Sequence, residues 1–104
     1  MVVATVSDRL LNVINELEQG ETLEVKLARL AEHEIRRRLA RYQLSDRIFR
    51  EKYGMTLEEF EDSEMVSTLG YSFQVESDHQ DWDLAVDGIR TMQQQLEALQ
   101  AGDH

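Results

Sequence analysis

Apolar residues recur at spacings of three, four or seven between positions 22 and 53. They are Leu23, Leu27, Leu30, Ala31, Ile35, Leu39, Tyr42, Phe49 and Tyr53. That spacing places them on one side of a helix with 3.6 residues per turn. Neither glycine nor proline interrupts the stretch. Thr22 offers a hydroxyl to cap the first turn, and Gly54 suits the left-handed residue that closes a helix. The resulting rod would span about 45 Å at roughly 1.5 Å per residue. Leu44, Ser45 and Asp46 offer the alternative, a break at which Ser45 caps a second segment. A stripe this long cannot cover itself, so other segments or a second chain must cover it.

The flanking pattern predicts shorter helices. Residues 6–17 form one, capped by Ser7, with Val6, Leu10, Val13, Ile14 and Leu17 on its apolar side. Residues 18–21 make the turn into the rod. After Gly54, Thr56 and Glu59 have the spacing of a capping box, and Met55 and Phe60 that of a hydrophobic staple. A short helix over 57–67 follows, with Phe60, Met65, Val66 and Leu69 as its inward side chains. Residues 71–75 alternate strictly between apolar and polar, the pattern of a strand. A lone strand is unstable, so an extended arm here would pair with a second copy, join a partner's sheet or lie over the core. Ser77 and Gln80 form a second capping-box pattern. It opens a helix over 78–99 lined by Trp82, Ala85, Val86, Ile89, Met92, Leu96 and Leu99. The expectation is one all-α domain over 1–104, about four helices around one long central helix, with 1–5 and 101–104 frayed.

Charge divides the chain more sharply than its total of −10 suggests. Residues 1–25 carry one base against five acids, net −4; residues 26–53 carry nine bases against four acids, net +5. Residues 54–104 carry one base against twelve acids, net −11. The acidic half either neutralises the basic helix or meets a basic protein partner, and the two are compatible. Nucleic acid is disfavoured over most of the surface and would be confined to the basic helix, at Arg29, Arg36, Arg37 and Arg47. Cysteine is absent, so neither a disulfide framework nor a zinc–thiolate site is available. No apolar run approaches the roughly 20 residues of a membrane span. The opening residues lack the basic and apolar regions of a signal peptide, and the expected location is the cytoplasm.

Candidate chemistry is sparse. Three histidines stand at 33, 79 and 104. His33-Glu34 lacks the second histidine of a zincin helix. Glu76 and His79 have the spacing of one di-iron pair, but a di-iron bundle needs two. Asp78, Asp81, Asp83 and Asp87 lack the glycine and terminal glutamate of a calcium loop; acids in a first helical turn answer the helix dipole. No serine sits in a nucleophile elbow. No enzyme activity, cofactor or metal is expected. A metal-dependent hydrolase across a dimer interface would have only Glu34, Glu76, His79 and Asp83 to draw on.

Three segments carry a resemblance: residues 36–42 (RRRLARY), residues 49–61 (FREKYGMTLEEFE), and residues 75–83 with their acids around Trp82. Together they resemble small prokaryotic proteins of the antitoxin type found in two-gene toxin–antitoxin operons. The resemblance spans about residues 26–100 and rests on structural caps rather than catalytic signatures. It implies a helical protein that masks a basic toxin or ribonuclease. A recognisable DNA-binding domain, present in commoner antitoxins, is missing. The resulting expectation is a non-enzymatic protein-binding module and a homodimer formed through the long helix or the 71–75 arm. Tyr71, Phe73 and Trp82 would be its apolar anchors for a partner, and Asp78, Asp81 and Asp83 its charged contacts. The alternative is a nucleic-acid-binding regulator using the arginine face.

Overall fold

A computed structural model describes residues 5–20, 22–64 and 72–101. Among them are four helices and no strand: α1 (Asp8–Leu17), α2 (Leu23–Tyr53), α3 (Leu57–Asp62) and α4 (Phe73–Ala101). The chain divides into two units, Met1–Glu34 and Ile35–His104, with α2 contributing to both.

In the first unit, Ser7 caps α1 by accepting from the Leu10 amide at 3.2 Å. Ile14 is its buried residue. Thr22 caps α2 through the Val25 amide at 3.1 Å. The unit is laced by polar contacts. Lys26 Nζ donates to Asn15 Oδ1 at 2.5 Å, the Arg29 guanidinium to the Gln19 carbonyl, and His33 Nδ1 lies 2.8 Å from Glu18.

The second unit holds the aromatic core. Trp82 and Phe60 are fully buried, with Leu57 and Val75 beside them and Phe49, Tyr53, Met55 and Val86 packed against the cluster. Phe49 and Tyr53, one helical turn apart on α2, each stack on the Trp82 ring at 5.7 Å between centroids. Phe60 meets the same ring at 5.3 Å. The capping box forms as its spacing predicts: the Glu59 amide donates to Thr56 Oγ1 at 3.2 Å, and the Thr56 amide to Glu59 Oε1 at 3.1 Å. Gly54 takes φ of +69° and closes α2.

Helix α2 runs unbroken through Ser45. Ser45 therefore caps no second segment. Beside it, the Asp46 carboxylate accepts from the Trp82 indole at 2.8 Å and faces Arg50, one turn on, at 3.1 Å, so these partners hold a group that could otherwise compete for the backbone.

The extended arm expected at 71–75 is corrected over its described residues, 72–75. Phe73, Gln74 and Val75 are the first turn of α4. Ser72 caps it, accepting from the Val75 amide on its hydroxyl at 3.2 Å and from the Glu76 amide on its carbonyl at 3.0 Å. Five alternating residues are too few to distinguish a strand from the opening of a helix, and Val75 to Trp82 is also a two-turn helical repeat. The pattern at Ser77 and Gln80 lies inside α4 and caps nothing. Helix α3 ends at Asp62, earlier than expected, and Glu64 follows with φ of +55°. Met65, Val66, Leu69 and Tyr71 lie outside the described residues, as do most of the ends read as frayed, 1–4 and 102–104.

Helices α2 and α4 come close at Gly88. A Cβ there would sit 2.7 Å from two carbons of the Tyr42 ring. Replacing Gly88 by alanine gains about 1 kcal/mol of helix propensity but forces the ring or the helix aside, at about 1–3 kcal/mol. The expected outcome is a net loss of about 1 kcal/mol, read as a lower urea midpoint with an unchanged slope. A raised midpoint would mean that the Tyr42 ring yields without strain.

Candidate functional site

Among the described residues of the second unit, an internal node and a solvent-facing groove each combine polar and apolar groups.

The internal feature is centred on Asp78, 5% exposed. Its Oδ2 accepts from Lys52 Nζ at 2.5 Å and from the Tyr53 hydroxyl at 2.6 Å, and its Oδ1 accepts from Gln74 Nε2 at 2.9 Å. Burial pushes the Asp78 carboxyl up, but hydrogen bonds from Lys52, Tyr53 and Gln74, with the charge of Lys52, bring it below its ordinary value. Tyr53 is pushed up to about 12, first by burial and then by its hydrogen bond to, and the charge of, Asp78. The node pins the end of α2 to the beginning of α4. Both of its carboxylate oxygens are occupied, which suits a structural anchor.

The solvent-facing feature is an open groove of about 290 Å³ between α3 and α4. Leu57 and Val86 form its apolar lining, and Glu58, Glu61, Asp83 and Asp87 supply four carboxylates. Arg90 also lines it and lies 3.8 Å from Asp87. On α3, Glu61 is 3.4 Å from His79 Nε2, and the imidazole lies against the Phe60 ring at 5.7 Å. Apolar walls beneath carboxylates suit a lysine or arginine side chain, whose alkyl stem and cationic head want different surroundings. The capping box at Thr56 orients the short α3 helix, which carries three of the seven lining residues.

The residues expected to meet a partner separate into two groups. Trp82 and Asp78 are corrected to interior positions: the first is enclosed by Phe49, Tyr53 and Phe60, the second by its three donors. Neither presents a surface to a partner. Phe73, at 85% exposure, opens onto solvent at the start of α4. Asp81 and Asp83 are exposed, and Asp83 lines the groove. Arg29, Arg36, Arg37 and Arg47 are exposed on α2, with Arg29 bonded to the Gln19 carbonyl. Glu58 and Glu61 carry no site role in the sequence reading, and Asp87 enters it only as part of a rejected calcium cluster. Their spacings, three residues on α3 and four between Asp83 and Asp87 on α4, were a usable signal. Their juxtaposition needed the angle between two helices.

Among the described residues no three or more His, Asp or Glu side chains gather closely enough to hold a metal ion. Among the same residues no helix is long and apolar enough to cross a membrane. Set against family models, curated proteins and solved structures, the chain matches none.

Proposed function

We propose that this chain is a non-enzymatic protein-binding module whose acidic C-terminal half, residues 54–104, takes a basic protein partner in the cytoplasm, as an antitoxin masks a basic toxin or ribonuclease. The observation that carries the reading is the α3–α4 groove, with apolar walls from Leu57 and Val86 and four carboxylates against one arginine. Phe73 adds a large apolar side chain at 85% exposure, a surface that gains on being covered. The charge of −11 over residues 54–104 would steer a cationic partner, raising the rate of encounter more than the lifetime of the complex.

The test is co-purification with the product of the adjacent gene, followed by binding kinetics. A complex is expected at low salt. Reversing two exposed groove charges, Asp83→Lys with Asp87→Lys, should slow association roughly tenfold or more. Phe73→Ser should act chiefly on dissociation. Absence of a complex at low salt would overturn the reading. A duplex retarded in a gel and released by Arg36→Glu with Arg47→Glu would replace it with nucleic-acid binding through the α2 arginines.

A further inference from the structure

Helix α1 carries its apolar side chains in two directions. Ile14 is buried within the first unit, and Leu11 is half-buried. Val6, Leu10, Val13 and Leu17 follow one another at spacings of four, three and four, the seam of a coiled coil. Of these, Leu10, Val13 and Leu17 are 50%, 46% and 65% exposed. Three large apolar side chains in one continuous line are thus left to water on a ten-residue helix.

The flank of this seam is charged in a particular order. Arg9 precedes Leu10 and Glu16 precedes Leu17, so the two occupy equivalent positions one heptad apart. Both are exposed, and among the described residues neither has an ion-pair partner. The opposite flank is Ile14, already committed inward.

We infer that the seam is a two-fold interface with α1 of a second copy, the two helices running antiparallel. Antiparallel pairing sets equivalent flank positions against each other in reverse order, so Arg9 of each copy meets Glu16 of the other. A two-fold contact repeats every pair, giving two ion pairs bordering six apolar side chains. Parallel pairing would instead set Arg9 beside Ile14, which is occupied, and would leave both charges without a partner. Charge complementarity therefore selects both the occupant and its direction. The interface is small, so the dimer is weak and concentration-dependent. It involves α1 alone and does not depend on the partner reading, which concerns α3 and α4.

Sedimentation equilibrium of the full chain, from about 5 to about 500 µM, reads this directly. The mass should rise from 12.1 kDa toward twice that value. Val13→Asp should hold the chain monomeric at every concentration while circular dichroism stays unchanged. Leu17→Glu should do the same, and serves if Val13→Asp disturbs the helix. Arg9→Glu and Glu16→Arg should each weaken the dimer roughly fivefold or more, and the double variant should restore it. A wild-type chain that stays monomeric throughout overturns the inference. So does a dimer that survives Val13→Asp or Leu17→Glu with helicity intact, or a double variant no better than the single ones.

Discussion

Replacing Trp82 by alanine should lower the free energy of unfolding by about 4 kcal/mol, the range for a large aromatic removed from a packed core. The physical reason is the number of neighbours that one ring serves. Phe49 and Tyr53 stack on it, and Phe60 packs against it at an angle. Between them they join the end of α2, the short α3 and the middle of α4. The indole N–H also donates to Asp46, so alanine would leave that carboxylate with Arg50 as its remaining partner here. A loss of this size is a large fraction of the about 5–15 kcal/mol available to a small domain. Urea unfolding followed by circular dichroism checks it. Trp82→Phe should recover more than half, because it fills most of the volume and loses the indole bond. A Trp82→Ala variant within 1 kcal/mol of wild type would show that the aromatic cluster is not the core of this unit.

The second large effect is expected at Asp78. Asp78→Ala removes the acceptor of three donors and should cost about 3 kcal/mol. The cost stays below that of a fully enclosed pair because Lys52 is half exposed and can turn to water. Asp78→Asn should cost less, since its amide oxygen still accepts from the Tyr53 hydroxyl. The titration of the node has a definite sign at each end of the pH scale. Asp78 lies below its ordinary value when folded. Its contribution is therefore complete above about pH 4 and fades as pH falls further. Tyr53 is raised from near 10 to about 12. Its contribution is complete below about pH 10 and fades as pH climbs from there. Wild-type stability should fall at both extremes, and Asp78→Ala should flatten both limbs. Parallel acid limbs for wild type and variant would show that Asp78 is not linked to folding.

How much of this was legible along the chain depended on the range of the forces involved. The capping box at Thr56 and Glu59, the caps at Ser7 and Thr22, and the turn at Gly54 form within a few residues, so their spacing was enough to find them. The unbroken α2 followed from its repeat and from the absence of glycine and proline. The error over residues 71–75 has the same origin in reverse. Alternation over five residues is a local pattern, whereas the continuation of α4 through Phe73 and Val75 is secured by Ser72 and by Val75 entering the core. Asp78 was read as a surface charge because acids near a helix start usually are. Lys52 and Tyr53, more than twenty residues away, join Gln74 in making its burial tolerable. The groove was half visible, as two pairs of acids at helical spacing, and became a site when α3 was set beside α4.

By itself, then, the amino-acid order determined the helical class, the length of the central rod, the N-caps at Ser7, Thr22 and Thr56 and the separation of charge. Each arises from backbone propensity, from hydrogen bonds to near neighbours or from counting. Tertiary structure decided which polar groups go inside and which apolar ones stay out. It enclosed Trp82 and Asp78 while leaving Phe73 and the α1 seam in water. Burial depends on what another helix brings to the same point, and that information is spread over distant parts of the chain.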